Sequence, residues 1–530
     1  MTLRAGQLEV LWSRLVAAAD EQAAALVRTS FTPIVRDSGD LSAAVFDHRG
    51  WMIAQAVTGT PGHINSLAAS MHHFLERFPD CRPGDVLITN EPWLSSGQLN
   101  DFTVVTPVFV GEKLVGYVGS TCHAIDIGGR GLSADAREVY EEGIRVPPTK
   151  LYDGGAPNEE LFRLIEANVR MSKLVLGDLH AQVVGNEVGA ARVTEIVEEF
   201  GLGDLTELSD EVTARSERRM RQAIGELPDG VYRSSVDLDG IDEPVHVECA
   251  ITIDGTDLTV DYAGSSSQSS YGINVVLNYT AAYTTYALKC VLAPDVPHNE
   301  GTFRPLRITA PEGSILNARF PAAVAGRHVI GQFLPFAVMD ALSQVAPHAT
   351  MAQGSGNVWL TTIRGATDEG EFVTVFFASG GTGARPERDG LSATSFPSGI
   401  ATTPVEVLES SSPVVIEEKA LRPDSGGRGR HRGGLGQRIR MSVRSDRPWV
   451  VSCLGDRLAH PAPGTAGGEP GAAGGFFVSG VGQTDPKLST EVAAGGHIVL
   501  DLPGGGGFGP PGERSPELVE RDLVDGRTTK

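Results

Sequence analysis

The chain predicts an α+β fold of several domains, with a mixed α/β N-terminal unit followed by β-rich units and interspersed helices. Three observations carry that expectation. Its 530 residues exceed what a single core usually organises. Apolar residues recur at helical spacing in some stretches and alternate with period two in others. The 64 glycines and 32 prolines require many turns and long irregular connections. The pattern changes between residues 205 and 230, so the expected units are 1–205, 206–355 and 356–530.

Taken in order, residues 6–30 read as an amphipathic helix, with Leu8, Leu11, Leu15 and Leu26 on one face. Two short strands follow, Leu41–Asp47 and Trp51–Val57, joined through His48-Arg49-Gly50. His63 to Arg77 reads as a helix with Asn65 or Ser66 as its N-cap. Pro83-Gly84-Asp85 introduces the strand Val86–Thr89. The segment 157–200 is helical in two pieces, and 209–226 forms a charged helix closed by a Leu-Pro-Asp-Gly turn. Beyond Gly230 the period becomes two, with Asp254-Gly255 as a hairpin turn. Helices are expected near 275–292 and 329–345, with strand Leu306–Ala310 between them. From 357 onward strand and turn prevail.

Composition narrows the function classes. A formal charge of −22 excludes a cationic nucleic-acid surface, and no apolar stretch has the length of a membrane span. The N-terminus lacks a basic region followed by an apolar core, so no secretory leader is expected. Cys81, Cys122, Cys249, Cys290 and Cys453 are odd in number and lack CxxC spacing, which fits a reducing cytoplasm.

The candidate chemistry lies in Gly97-Gln98-Leu99-Asn100-Asp101 and, about twenty residues on, Cys122-His123-Ala124-Ile125-Asp126. Asp101 opens one strand-like run and His123 closes the next, with Gly111-Glu112 as the turn between them. A hairpin would return Asp101, His123 and Asp126 to one end, the usual way to assemble a metal site of mixed nitrogen and oxygen ligands. Asp40, before a strand, is a candidate fourth ligand, and His63 a further ligand or proton donor. Imidazole with carboxylates suits zinc, manganese or iron(II). The site is expected at strand ends, outside a core.

Rival readings stand beside this one. His123 could instead cap Gly128-Gly129, with the aspartates as turn formers. Cys122 as a nucleophile is disfavoured because neighbours on a strand face opposite sides. Arg304, Arg319 and Arg327 could hold an anion through the guanidinium fork. The tail Gly504–Gly507 has the composition of a phosphate-cradling loop but lacks its Lys-Ser/Thr.

A dozen blocks in order then carry a family resemblance. They include Asp40–Asp47, Pro61-Gly62-His63, Asn90–Trp93, Asn100-Asp101-Phe102, His123–Gly129, Tyr140–Lys150, Asn299–Pro305, Leu421–Gly427, Arg432–Gly436 and the Gly504 tail. In these the chain resembles the hydantoinase B/oxoprolinase family, which includes subunits of acetone and acetophenone carboxylases. The resemblance implies a cytoplasmic hetero-oligomer in which an actin-like, hydantoinase A-type ATPase subunit phosphorylates the substrate carbonyl oxygen. This chain would then complete the reaction with His123, Asp126 and His63, at a divalent metal held by Asp40, Asp101, His123 and Asp126. The implied reaction is opening of a cyclic amide. The alternatives are an ATP-dependent ketone carboxylase or a metal-free docking scaffold. Many relatives carry His where this chain has Gln98, and Asn-Asp-Pro where it has Asn90-Glu91-Pro92.

Overall fold

Asp101 and His123 face each other as the last pair of a long antiparallel hairpin, Asp101–Val110 with Lys113–His123. The computed structural model that shows this describes residues 5–57 and 60–529; the leader reading therefore rests partly on residues outside those described. The hairpin is the centre of a seven-stranded antiparallel sheet. Across that sheet run Met52–Gln55, Leu41–Asp47, Lys113–His123, Asp101–Val110, Val86–Thr89, Thr149–Asp153 and Ala156–Pro157.

Both faces of this sheet are covered, which is why its inner strands are buried along most of their length. On one side Leu41, Ala43, Val45, Val118 and Cys122 pack against helices Ala5–Thr29 and Ser172–Glu199. On the other, Ala44, Phe46, Val105 and Tyr117 meet Ile64, Leu67, Met71 and Phe74 of helix Pro61–Arg77. That helix starts at Thr60 rather than at Asn65 or Ser66. Pro61 at its first position needs no hydrogen-bond partner there, and Asn65, now one turn inside, donates to the Ala282 carbonyl at 2.8 Å.

The next sheet pairs Gly230–Leu238, Val245–Asp254 and Asp257–Asp261 antiparallel, with Leu306–Thr309 parallel at the edge. Helices Leu277–Leu292 and Leu334–Leu342 belong to the same buried cluster. The single helix expected at 329–345 is two, His328–Gly331 and Leu334–Leu342. Pro335 lacks the N–H that would continue the first into the second.

Two further sheets pack together in the C-terminal region around Trp359, Phe376, Ile439, Met441, Val451, Phe476 and Leu500. Helices Val405–Ser411 and Pro516–Val524 were not expected there. The latter spans only nine residues and buries only Asp522, leaving Val519, Leu523 and Val524 exposed.

The Gly504–Gly507 tail is core structure, not a phosphate loop. Gly505 N–H donates to the Gly434 carbonyl at 3.0 Å, and Gly427 N–H donates to the Gly505 carbonyl at 2.8 Å. A Cβ on Gly505 would stand 1.9 Å from the Thr382 carbonyl oxygen, and one on Gly433 1.9 Å from that of Gly505. Only glycine lets these backbones approach so closely. One apolar cluster extends from Ile34 to Leu454 and joins all three stretches of the chain. Among the described residues no helix is long and apolar enough to cross a membrane.

Candidate active site

Several backbone contacts bring the functional side chains to the end of the central hairpin. Asp178 accepts from the backbone N–H groups of Phe31 (2.7 Å) and Thr32 (3.2 Å), anchoring the segment that leads to Asp40. His123 N–H donates to the Asp40 carbonyl at 3.2 Å, so the two residues lie side by side. Asn90 ties the approach to Asp101: its amide donates to the carbonyls of Leu99 and Ile144, and its oxygen accepts from Val146 N–H. Gly97, at φ +90°, is where Arg327 crosses that loop; a Cβ there would stand 2.8 Å from Arg327 Cδ.

Asp40, His63, Asp101 and His123 come together, all at most 4% exposed. His63 Nε2 lies 3.1 Å from Asp101 Oδ2, and His123 Nδ1 lies 3.0 Å from Asp101 Oδ1. Asp40 stands further out, 3.5 Å from His63 Nδ1 and 3.8 Å from His123 Nδ1. Asp126 does not join them. Its carboxylate accepts from Gly128 N–H (3.1 Å), from the Arg170 backbone and from the Arg170 guanidinium (3.1 Å), fixing the loop after the hairpin. The chain turns immediately beyond His123, so the three-residue spacing places Asp126 on a different wall. It is Asp126, and not His123, that caps the Gly128 turn.

Gln98, from the motif itself, and Arg327, from far along the chain, complete the cluster. Gln98 Nε2 donates to Asp101 Oδ1 at 2.8 Å and lies 3.1 Å from His123 Nδ1. Arg327 pairs with Asp101 Oδ2, donates through Nε to the Ser96 carbonyl, and lies over the Tyr279 ring at 4.1 Å. Of the three arginines considered from sequence, it alone reaches this site. Arg304 pairs with Glu217 and Arg319 with Glu312. Burial alone would raise the Asp101 pKa, but His63 and Arg327 outweigh it and hold the carboxyl well below the usual range. Burial likewise opposes charge on His63, while Asp101 and Asp40 raise it above the ordinary imidazole value. Cys122 faces the helix layer, and burial pushes its thiol well above normal.

Asp101 Oδ1, His123 Nδ1 and the Gln98 amide thus form a triangle with edges of 2.8, 3.0 and 3.1 Å. With Asp101 ionised, two edges can be hydrogen bonds, but the third then sets donor against donor or lone pair against lone pair. Gln98 Oε1 meanwhile is buried without a partner. Turning the amide over brings that oxygen onto the triangle and leaves three electron-pair donors about 3 Å apart. That is the spacing of adjacent ligands around a divalent ion with bonds of about 2.1 Å. Among the described residues no three His, Cys, Asp or Glu side chains are arranged to hold a metal ion by themselves. Here the third donor is an amide, and the donor set fits a hard or borderline cation.

A cavity of about 30 Å³ adjoins the triangle, walled by Val358, Leu360, Phe377 and Ile400 and also lined by His63, His123, Arg327 and His328. The site is therefore roofed by later segments of the chain, not open at strand ends as the sequence led us to expect. Strand periodicity carries no signal of what covers a strand's end. His328 was missed for a similar reason, since it reads only as the start of an apolar helix. A larger cavity, about 590 Å³, lies one residue away, with Pro61 and Gly399 on its wall beside Thr60 and Ile400 of the smaller one.

The profile of the family described as hydantoinase B/oxoprolinase matches residues 5–511. A putative D-/L-hydantoinase chain from Pseudomonas sp. (strain NS671) is 32% identical, covering 99% of this chain and 93% of that protein. The crystal structure of the ATP-dependent caprolactamase from Pseudomonas jessenii superposes with a TM-score of 0.89 at 26% identity, over 100% of this chain and 95% of that one. The nucleotide-free structure of acetone carboxylase superposes with a TM-score of 0.90 over 99% of this chain and 78% of its own, at 19% identity. At that identity the likeness is one of fold.

Proposed function

The chain belongs to the hydantoinase B/oxoprolinase family, and from that premise we propose that it is the catalytic subunit of a two-component, ATP-dependent cyclic amidohydrolase. Its partner in this reading is an actin-like ATPase subunit of the hydantoinase A type, which phosphorylates the carbonyl oxygen of a hydantoin, lactam or oxoproline-like ring. The observation that carries the proposal is the buried triangle of Gln98, Asp101 and His123 beside a water-sized cavity.

An unstrained amide is a poor electrophile, and turning its oxygen into a phosphate ester makes the ring carbon open to attack by water. Gln98, Asp101 and His123 would hold a divalent cation, and Asp40 flanks them. When bound, such an ion supplies positive charge for a developing oxyanion and makes a nearby water more acidic. Arg327 and His63 occupy Asp101 Oδ2, which leaves Oδ1 facing the triangle. The apolar walls Val358, Leu360 and Phe377 close off the small cavity beside the triangle from bulk water. The 590 Å³ cavity has the volume of a small-ligand pocket, and we place the ring there.

Purifying the chain with its ATPase partner tests this directly. ATP consumption coupled to ring opening is expected with hydantoins or lactams. Turnover confined to ketones plus bicarbonate would overturn the hydrolase reading in favour of a carboxylase.

A further inference from the structure

We propose that His328 Nε2 is the acceptor that binds and aims the attacking water, an assignment that rests on the hydrolytic reading of the site. Among the described residues, His123 Nε2 and His328 Nε2 are buried on the 30 Å³ cavity without a hydrogen-bond partner, while Asp40 Oδ1 and His63 Nδ1, 3.5 Å apart, have only each other. Unmet polar atoms in a native interior call for an occupant. The volume exceeds the roughly 10–15 Å³ that a cavity needs to admit a water, and a water held there needs two to four polar partners.

The hydrogen-bond roles are complementary. His328 is 4% exposed, and the Leu454 backbone is the hydrogen-bonding group that acts on its ring; with Nε2 unpartnered, we assign Nδ1 to Leu454. Nε2 is then left with a lone pair. His123 is the reverse: with Nδ1 kept unprotonated to serve the triangle as a ligand, Nε2 carries the proton. A water between them accepts from His123 Nε2–H and donates to His328 Nε2, keeping one lone pair free. Burial, reinforced by the neighbouring Arg327 charge, pushes the His328 pKa down to about 3, so the ring stays a neutral acceptor in the working pH range. As the water adds across the C=N bond of the phosphorylated ring, its oxygen bonds to carbon and the π pair moves to nitrogen. The proton it sheds ends on that nitrogen. His328 orients this water and finishes the step unprotonated, which makes it an acceptor and not the general base.

High-resolution crystal structures of the whole chain, with turnover measured alongside the ATPase partner, test the assignment. The wild-type protein should show an ordered water within hydrogen-bonding distance of both rings. His328→Leu should lose that water and fall roughly 10²-fold in kcat, the order set by misplacing a reactant. His328→Gln, which keeps an acceptor near Nε2, should recover water and part of the rate. Metal content and the shape of the pH–rate profile should match wild type in both variants. A cavity empty in the wild type, unchanged turnover in His328→Leu, lost metal, or a missing acid limb would each overturn the proposal. If wild type opens no cyclic amide, the hydrolase reading falls, while the water's dependence on His328 is still decided by the structures.

Discussion

In the proposed reading Gln98 would set how strongly the triangle holds a cation, because an amide oxygen is a weaker ligand than an imidazole. Gln98→His should tighten binding of Zn²⁺ or Mn²⁺ by roughly tenfold or more, and Gln98→Leu should weaken it. Calorimetric titration of metal-stripped protein measures both. His123→Ala should abolish metal binding and turnover. Because the ring is 1% exposed, the same change should also cost about 2–4 kcal/mol of stability through the void it leaves, seen as a lower denaturant midpoint. Asp101 and His123 were legible in the sequence because a hairpin brings these two strand ends together, whereas the bulge at Val108/Phe109 that sets one opposite the other was not. Asp126 was misread because beyond a strand's end spacing no longer determines direction.

At the scale of elements, the segment Ala322–Arg327 delivers Arg327 to the hairpin and depends on Glu142. The Glu142 Oε1 accepts from the backbone N–H groups of Val324 (2.6 Å) and Ala325 (2.8 Å), while Oε2 has no partner. Burial, partly offset by those two bonds, pushes this carboxyl up to about 8. The folded chain therefore keeps a proton that the unfolded chain releases above its ordinary value of 4.5. The stabilisation is fully present below that value and is lost as pH rises towards 8, by at most about 1.4 kcal/mol per pH unit. Glu142→Gln should flatten this decline, so the variant gains on wild type between pH 5 and 8 in denaturant unfolding. A difference that shrinks over that interval would contradict the assignment. Removing the buried Arg327 guanidinium, as in Arg327→Met, should destabilise the fold by about 3–5 kcal/mol by leaving Asp101 with less compensation. The turn Gly111-Glu112 and strand Val86–Thr89 were readable from local chemistry. The break before Leu334 was not, since the apolar period continues through Pro335 and hides it.

For the whole molecule, closure depends on the glycine segments of the C-terminal region. Gly505→Ala places a methyl 1.9 Å from the Thr382 carbonyl, against backbone that cannot yield; soluble, cooperatively folding protein should be lost. Gly512→Ala, with nothing within 4 Å of the added carbon, should leave the thermal midpoint unchanged. Composition pointed to these glycines only as loops, because the sequence does not show backbones from residues 382, 434 and 505 meeting. The α+β class was legible from the switch of period near Gly230. The roof over the triangle of Gln98, Asp101 and His123 was not, because Arg327, His328, Leu360 and Ile400 arrive from segments more than two hundred residues after His123.

Anomalous diffraction from crystals of the whole chain grown with Mn²⁺ or Zn²⁺ is the most direct measurement. One ion within bonding distance of Gln98 Oε1, Asp101 Oδ1 and His123 Nδ1 is the result expected. Crystals that take up the metal elsewhere, with those three groups still hydrogen-bonded to one another, would contradict it.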